Sequence, residues 1–253
     1  MANKDTLRLI IDPPLPGFVN MACDEAILQA VNQSITPATL RFYQWVEPTI
    51  SLGYFQKFDE IQSQHQQIKQ MPVVRRQTGG GAILHDQELT YSLILPLDTD
   101  NSDSTDIQLM YRLVHDAYIE AIASVGIKVQ YRGGDDRGNS QRGPFFCFAR
   151  KHCLDLVLGS DKILGSAQRR VKSAVLQHGS LILNRRFVQQ PSAALGVSDS
   201  GEFDLQKFIQ RVAMLIAEKL KLKLTSCQLG DYEKQSAIEF QDKYKSDSWN
   251  QQR

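Results

Sequence analysis

With 253 residues, 42% of them hydrophobic and 23% charged, the chain has the composition of an ordinary globular protein with sequence enough for a sizeable core. Its formal net charge of +1 excludes the global basic field that nucleic-acid binding uses, and no apolar run approaches the roughly 20 residues that span a bilayer. Cys23, Cys147, Cys153 and Cys227 lack CxxC spacing and no signal-peptide pattern opens the sequence, so a reduced cytoplasm is the expected compartment and no metal is expected.

Thr6 to Ile11 is a short apolar strand candidate closed by Asp12, Pro13 and Pro14. Asn20 to Val31 reads as a helix with Asn20 as its cap, and with Asp24 and Glu25 placed to complement the helix dipole. Leu40 to Trp45 alternates as a strand with aromatics on one face, and Gly53 between aromatics suggests a bend. A polar helix is expected over Lys57 to Ile68.

Val73 to Ser92 reads VVRRQTGGGAILHDQELTYS, a strand end followed by Arg75-Arg76, three glycines, a second apolar run, His85-Asp86 and a strand over Leu89 to Leu95. Gly79, Gly80 and Gly81 expose backbone N–H groups and accept dihedrals closed to other residues, so this loop can lie against a carbonyl, a phosphate or an acyl chain. Neither the P-loop nor the Gly-x-Gly-x-x-Gly pattern is present. A bare glycine run can also be a flexible hairpin; the flanking Arg75, Arg76 and His85 favour binding.

A helix is expected over Thr105 to Val125 with Ser104 or Thr105 as cap, then a strand over Ile127 to Tyr131. Arg132 to Gly143, rich in glycine and charge, is read as a loop that could form a lid over Cys147, with a linker as the alternative.

Cys147 to Gly179 carries the candidate chemistry. Leu154 to Leu158 reads as a strand, Gly159-Ser160-Asp161 as a hairpin turn, and Lys162 opens the next strand. A hairpin folds Lys162 back toward Cys147, fifteen residues earlier, where an ammonium would favour the nucleophilic thiolate. The plainer readings are a small buried cysteine between Phe146 and Phe148 and a solvated lysine. Gly165, Ser166 and Ala167 would let a ligand approach the backbone. Cys23 and Cys153 read as packing residues inside a helix and a strand.

Arg169 to Leu176 and Ser180 to Leu183 are read as two strands joined near Gln177-His178-Gly179. Arg169, Arg170 and Lys172 form a basic group, either a solvated face or a surface for an acidic partner. Phe203 to Leu222 has the pattern of an amphipathic helix, and a further helix around Tyr232 to Tyr244 is expected to precede a frayed tail.

Taken together, Leu40-Arg-Phe-Tyr with Trp45 and Pro48, Ser51-Leu-Gly-Tyr, Arg75-Arg-Gln-Thr-Gly-Gly-Gly-Ala with His85-Asp86, Lys162-Ile-Leu-Gly-Ser-Ala-Gln and Gln177-His-Gly-Ser resemble the biotin/lipoate ligase and octanoyltransferase superfamily. That resemblance covers roughly residues 20 to 185. It implies an α+β domain with a mixed, largely antiparallel sheet flanked by helices, like the class II aminoacyl-tRNA synthetase and biotin synthetase catalytic domains. The implied layout is one catalytic domain over 1–253, with a core about 6–185 and a C-terminal helical extension about 203–253.

The resemblance also implies the site: Cys147 and Lys162 as catalytic residues, with Arg75, Gly79, Gly80, Gly81, Ala82, His85, Gly165, Ser166, Ala167, His178 and Gly179 binding substrate. Cys147 matches the nucleophile position of one octanoyltransferase branch. The implied reaction moves octanoyl from acyl carrier protein through a Cys147 thioester to a lysine of a lipoyl domain or of the glycine-cleavage H protein. No cofactor is then expected, nor a nucleic-acid or membrane partner. His85 or His178 could assist proton transfer or be structural. The alternative within the superfamily is an ATP- and Mg-dependent lipoate ligase, for which the chain is expected to be too short beyond the catalytic domain to hold the accessory domain of the larger ligases. A non-catalytic acyl- or lipoyl-domain-binding homologue is the third reading.

Overall fold

A computed structural model describes residues 5–97, 106–134, 143–197 and 203–253. Strands β1 (Thr6–Ile11), β2 (Thr39–Tyr43), β6 (Glu88–Pro96), β7 (Gln130–Tyr131), β8 (Leu156–Leu158), β9 (Asp161–Arg170), β10 (Ala174–Ile182) and β11 (Lys223–Ser226) form one sheet in the order β11-β1-β2-β6-β10-β9-β8-β7. β1 runs parallel to β2 and β11; every other pairing in that sheet is antiparallel. A second sheet, in the order β4-β3-β5, contains β3 (Thr49–Leu52), β4 (Val73–Arg75) and β5 (Ile83–His85). This is the mixed, largely antiparallel α+β architecture that the sequence implied.

Both faces of the large sheet are covered, which explains why its central strands lack a solvent-exposed face. Side chains alternate across a strand, so Leu9 and Leu93 enter a core beneath α3 (Ile107–Ala123) and α4 (Leu205–Leu220). Their neighbours Ile10 and Ile94 turn the other way, onto Ile27, Leu28 and Val31 of α1 (Gly17–Asn32). Helix α5 (Asp231–Lys245) then packs on α1 through Cys23, Ala26 and Ala237. The C-terminal part is thus joined to the same body: β11 extends the main sheet and α5 completes the layer over α1.

Several local expectations change. Helix α1 starts at Gly17 after Pro16, and Asn20 is no cap: it lies inside the helix and donates to the Leu15 and Gln44 carbonyls at 3.2 and 3.1 Å. Lys57 to Ile68 splits into a 3-10 turn (Phe58–Ser63) and the short helix α2 (Gln66–Lys69), because only Ile61 and Ile68 there find a core to enter. Asp106 caps α3, accepting from the Gln108 N–H at 2.8 Å.

Strand β10 runs unbroken through Gln177-His178-Gly179, and the turn falls earlier, where the Val171 N–H donates to the Ala174 carbonyl at 2.9 Å. Gly179 is not a turn residue but a close-approach residue: a Cβ there would lie 2.5 Å from Ser166 Oγ and 2.6 Å from Tyr91 Cε1. Cys153 lies in the turn before β8 instead of inside a strand. The lid reading falls mostly on residues 135–142, outside the described residues.

The tail is packed. Helix α6 (Asp247–Asn250) sits over β4, with the Trp249 indole N–H donating to the Arg75 carbonyl at 2.9 Å. Among the described residues, no helix is long and apolar enough to cross a membrane.

Candidate active site

The glycine loop between β4 and β5 builds one wall. Arg76, 2% exposed, holds it from inside: Nη2 donates to the Gly79 and Gly81 carbonyls at 2.8 and 2.7 Å, and Nε donates to Thr78 Oγ1 at 3.1 Å. Gly80 at the loop's tip has φ +100°, a conformation that side chains rarely tolerate.

Ala82 then recruits the cysteine segment. Its N–H donates to the Phe145 carbonyl at 2.8 Å and its carbonyl accepts from the Cys147 N–H at 2.7 Å, a short parallel bridge with Phe146. A Cβ on Gly81 would come within 2.8 Å of the Cys147 nitrogen, so this pairing needs glycine. Phe148 is buried against Ile83 and Ile182 and anchors the 3-10 turn Cys147–Ala149, leaving the Cys147 thiol half-buried.

Lys162 arrives from the other side. The β8–β9 ladder pairs Val157 with Lys162 but Leu156 with Leu164, so it skips Ile163. Such a bulge changes the alternation and re-aims a side chain. The lysine consequently lies over Gly165, with Nζ 3.8 Å from Cys147 Sγ and 2.7 Å from Asp155 Oδ1. Burial opposes the ammonium, but the facing Cys147 thiolate and Asp155 outweigh it and hold the Lys162 pKa above the ordinary lysine value. Lys162 is therefore a proton-bearing donor at neutral pH.

Two spaces meet at Cys147. A narrow, mostly apolar pocket of about 20 Å³, scarcely the space of one water molecule, is bounded by Met21, Tyr43, Trp45, Ile83, Gly165 and Gly179. An open cleft of about 580 Å³ is lined by Gly79, Gly80, Tyr111, Arg150, Lys162 and Arg170. Cys147, Ser166 and Ala167 line both. A sulfur at this junction lies between apolar walls and an open cleft through which a second reactant can enter.

The predicted histidines are built into hydrogen-bonded sets beside the apolar pocket. His85 stacks on Trp45 with ring centroids 3.8 Å apart, lies 2.8 Å from Ser51 Oγ through Nε2, and 3.1 Å from Glu88 Oε1 through Nδ1. Burial pushes its pKa down, against the pull of Glu88. His178 Nε2 is 2.7 Å from Thr78 Oγ1, with Nδ1 3.3 Å from Asp24 Oδ2. Asp24 also accepts from Arg41 Nη1 at 2.8 Å and from the Tyr43 hydroxyl at 2.9 Å. Burial would raise its carboxyl, but the His178 hydrogen bond and the Arg41 charge hold it below the usual range. Asp24 is thus a buried ion-pair residue, not the helix-dipole residue that its position suggested.

Of the residues expected at the site, Cys147, Lys162, Gly79, Gly80, Gly165, Ser166, Ala167, His85, His178 and Gly179 border these two spaces. Gly81 and Ala82 serve behind them, as the splice to Cys147. Arg75 is elsewhere: its guanidinium donates to the carbonyls of Gly53, Tyr54, Gln56 and Asn250, on the opposite side of β4 from Arg76.

Sequence reasoning did not single out Asp155 or His115 as site residues, and it named Arg76 only as a flank of the glycine loop. His115 Nδ1 donates to the Leu154 carbonyl at 2.7 Å, leaving Nε2 2.7 Å from Ser166 Oγ, which is in turn 2.6 Å from the Tyr91 hydroxyl. A charged residue in an apolar strand run, as Asp155 is, was the available signal.

Residues 16–212 match the family model for the lipoyl protein ligase A/B catalytic domain. The chain is 32% identical to octanoyltransferase LipM of Brevibacillus brevis (strain 47), over 97% of this chain and 99% of the relative. It is 30% identical to octanoyltransferase LipM of Clostridioides difficile (strain 630), over 97% and 98% respectively. In fold it is similar to a lipoate-protein ligase A solved with ATP, with TM-score 0.77 and 23% identity over 98% of this chain and 99% of that one. With a family match spanning the small sheet, six of the eight strands of the large one, the glycine loop and the Cys147–Lys162 hairpin, this chain belongs to the lipoyl protein ligase A/B catalytic domain family.

Proposed function

We propose that this chain is an octanoyltransferase of lipoate biosynthesis that carries the acyl group as a thioester on Cys147. The observation that carries this reading is the placement of Cys147 Sγ 3.8 Å from Lys162 Nζ, where an apolar pocket opens into a cleft. Full-length similarity to two octanoyltransferases supports it.

In the first half-reaction the Cys147 thiolate attacks the carbonyl carbon of octanoyl-acyl carrier protein. The carrier's carbon–sulfur bond breaks, its thiolate leaves and takes a proton, and octanoyl-Cys147 remains. In the second, the neutral amine of an acceptor lysine attacks that thioester. The amide forms, Cys147 leaves as a thiolate and the amine proton passes to solvent or a base. No nucleotide is consumed, because the donor thioester is already activated.

Lys162 donates toward the sulfur in both steps. Its raised pKa suits a donor and not a base. Backbone around Gly79, Gly80, Ser166 and Ala167 faces the reacting atoms and would stabilise the developing oxyanion. The Ala82 N–H, given to Phe145, has no part in this. Acceptors of the lipoyl-domain or glycine-cleavage H-protein kind would enter through the open cleft.

The test is intact-protein mass spectrometry after incubation with octanoyl-acyl carrier protein without ATP, comparing wild type with Cys147→Ser. A hydroxylamine-sensitive octanoyl adduct on wild type alone is the expected result. Absence of the adduct, with lipoyl-AMP formed from lipoate and ATP, would move the chain to the ligase reading.

A further inference from the structure

We propose that Arg76, and not Lys162, supplies the net positive charge that sets the ionisation of Cys147. The inference rests on the reading of Cys147 as the acyl carrier.

Lys162 is already neutralised. With Asp155 Oδ1 at 2.7 Å, the two form a buried pair of opposed charges, and Arg132, which approaches the same carboxylate at 3.9 Å, is part-exposed and screened, so the effect of Lys162 on the sulfur is that of a short-range hydrogen-bond donor. Arg76 differs. Its five hydrogen bonds go to the Ser51 carbonyl and hydroxyl, the Thr78 hydroxyl and the Gly79 and Gly81 carbonyls, all neutral acceptors. Among the described residues it forms no ion pair with a carboxylate, whereas Arg8, Arg41 and Lys162 each have one. Arg75, the other buried guanidinium held by carbonyls, faces the tail on the far side of β4.

The guanidinium and the thiol look at each other across Gly80. A Cβ at that position would lie 2.9 Å from Arg76 Nη2 and 3.9 Å from Cys147 Sγ, so only glycine leaves the space between them open. Both residues line the apolar pocket. In such a place a unit charge acts over several ångströms with little screening. Burial pulls the Arg76 pKa down to about 10, with the Cys147 thiolate opposing that fall, so the guanidinium stays charged at neutral pH. The other groups facing these spaces are Tyr43 on β2, His85 on β5, His178 on β10, Tyr111 on α3, His152 and the Lys162–Asp155 pair. Arg150, Lys151 and Arg170 are further cations along the cleft, but Arg150 and Arg170 are part-exposed and Lys151 is exposed, so solvent screens all three.

Arg76 is therefore a positioning residue in two senses: it shapes the glycine loop and fixes the charge of the nucleophile. The test is the pH profile of Cys147 alkylation by iodoacetamide in the resting enzyme, followed by mass spectrometry of the Cys147 peptide. Arg76→Met should move the midpoint up by about one to two pH units. Arg76→Lys, which keeps the charge and loses most of the loop contacts, should stay within about half a unit of wild type. The double variant Lys162→Met with Asp155→Asn should shift less than half as far as Arg76→Met.

A profile for Arg76→Met that coincides with wild type would overturn the proposal, as would a larger shift in the double variant. Should Arg76→Met fail to fold, Arg76→Gln, neutral but still able to donate to the loop carbonyls, takes its place with the same expected shift, and a shift of a full unit or more in Arg76→Lys would overturn the proposal, since it would mean geometry and not charge. Alkylation needs no acyl donor. Loss of the octanoyl adduct would thus sink the thioester reading while leaving the alkylation profile to judge Arg76 separately.

Discussion

Gly165 and Lys162, three positions apart on one strand, occupy a single space: a Cβ on Gly165 would fall 2.0 Å from Lys162 Cε and 2.5 Å from its Nζ. In a regular strand they would point to opposite faces; the skipped residue at Ile163 brings them together. Gly165→Ala should therefore fold, because the flexible end of the lysine can give way, but with Nζ displaced from Cys147. Transfer should drop by about 10²-fold, the scale of a misplacement near 1 Å, with little change in thermal midpoint. A variant with full transfer rate would show that the position of Lys162 is not limiting.

Lys162 is buried with Asp155, and its folded pKa lies above the ordinary lysine value of about 10.4. Such a group stabilises the fold fully below the unfolded pKa and loses that contribution as pH rises through the folded value. The difference in unfolding free energy between wild type and Lys162→Met, read by urea titration, should thus be constant from pH 7 to 9 and change above about pH 10.4. Asp155→Asn leaves the ammonium without its carboxylate and should cost about 3–5 kcal/mol at pH 7.

His115 gives an acid window of opposite sense. Burial, with repulsion from Lys162 and against the hydrogen bond to Leu154, holds its pKa near about 3. Its unfolded value is about 6.5, so below that pH the unfolded chain binds a proton that the native state refuses. Native stability should fall by up to about 1.4 kcal/mol per pH unit between about pH 6 and 3 from this residue alone. In His115→Gln the slope of unfolding free energy against pH should be correspondingly shallower over that range; equal slopes would place the titration elsewhere.

Asp24 joins Arg41, Tyr43 and His178 under the glycine loop. Removing its charge in Asp24→Asn leaves the fully buried Arg41 guanidinium with one carboxylate, Asp12 at 2.7 Å. A loss of about 1.5–3 kcal/mol at neutral pH is expected. Because its folded pKa is depressed, this contribution is present above about pH 3.9 and disappears as pH falls through the lower folded value. The gap in urea midpoint between wild type and variant should narrow progressively as pH falls below about 3.9.

Removing the thiol should abolish transfer through the cysteine route, and Lys162→Ala should slow acylation most near neutral pH. Single-turnover acylation followed against pH checks both; a Cys147→Ser enzyme with wild-type turnover would exclude the thioester.

Much of this was legible in order along the chain. Alternation identified β2, a short apolar run marked β1, helical spacing identified α1, α3 and α4, and the glycine run between two apolar strands marked the loop, because each is a local consequence of burying one face or freeing one dihedral. The pairing of Cys147 with Lys162 was also readable, since a two-strand hairpin has few ways to fold. What required the tertiary structure was every property set by distant partners. Arg75 and Arg76 are adjacent and alike in sequence, yet the strand pleat sends one to the packed tail and the other to the loop beside the thiol. Asp155 and Asp24 are polar residues in apolar company, and only the partners that the fold brings, Lys162 across a bulge and Arg41 from the next strand, give them their charge and role. Sequence spacing fixes which side chains share an element's face; the electrostatics of a buried site depend on what the rest of the chain places against it.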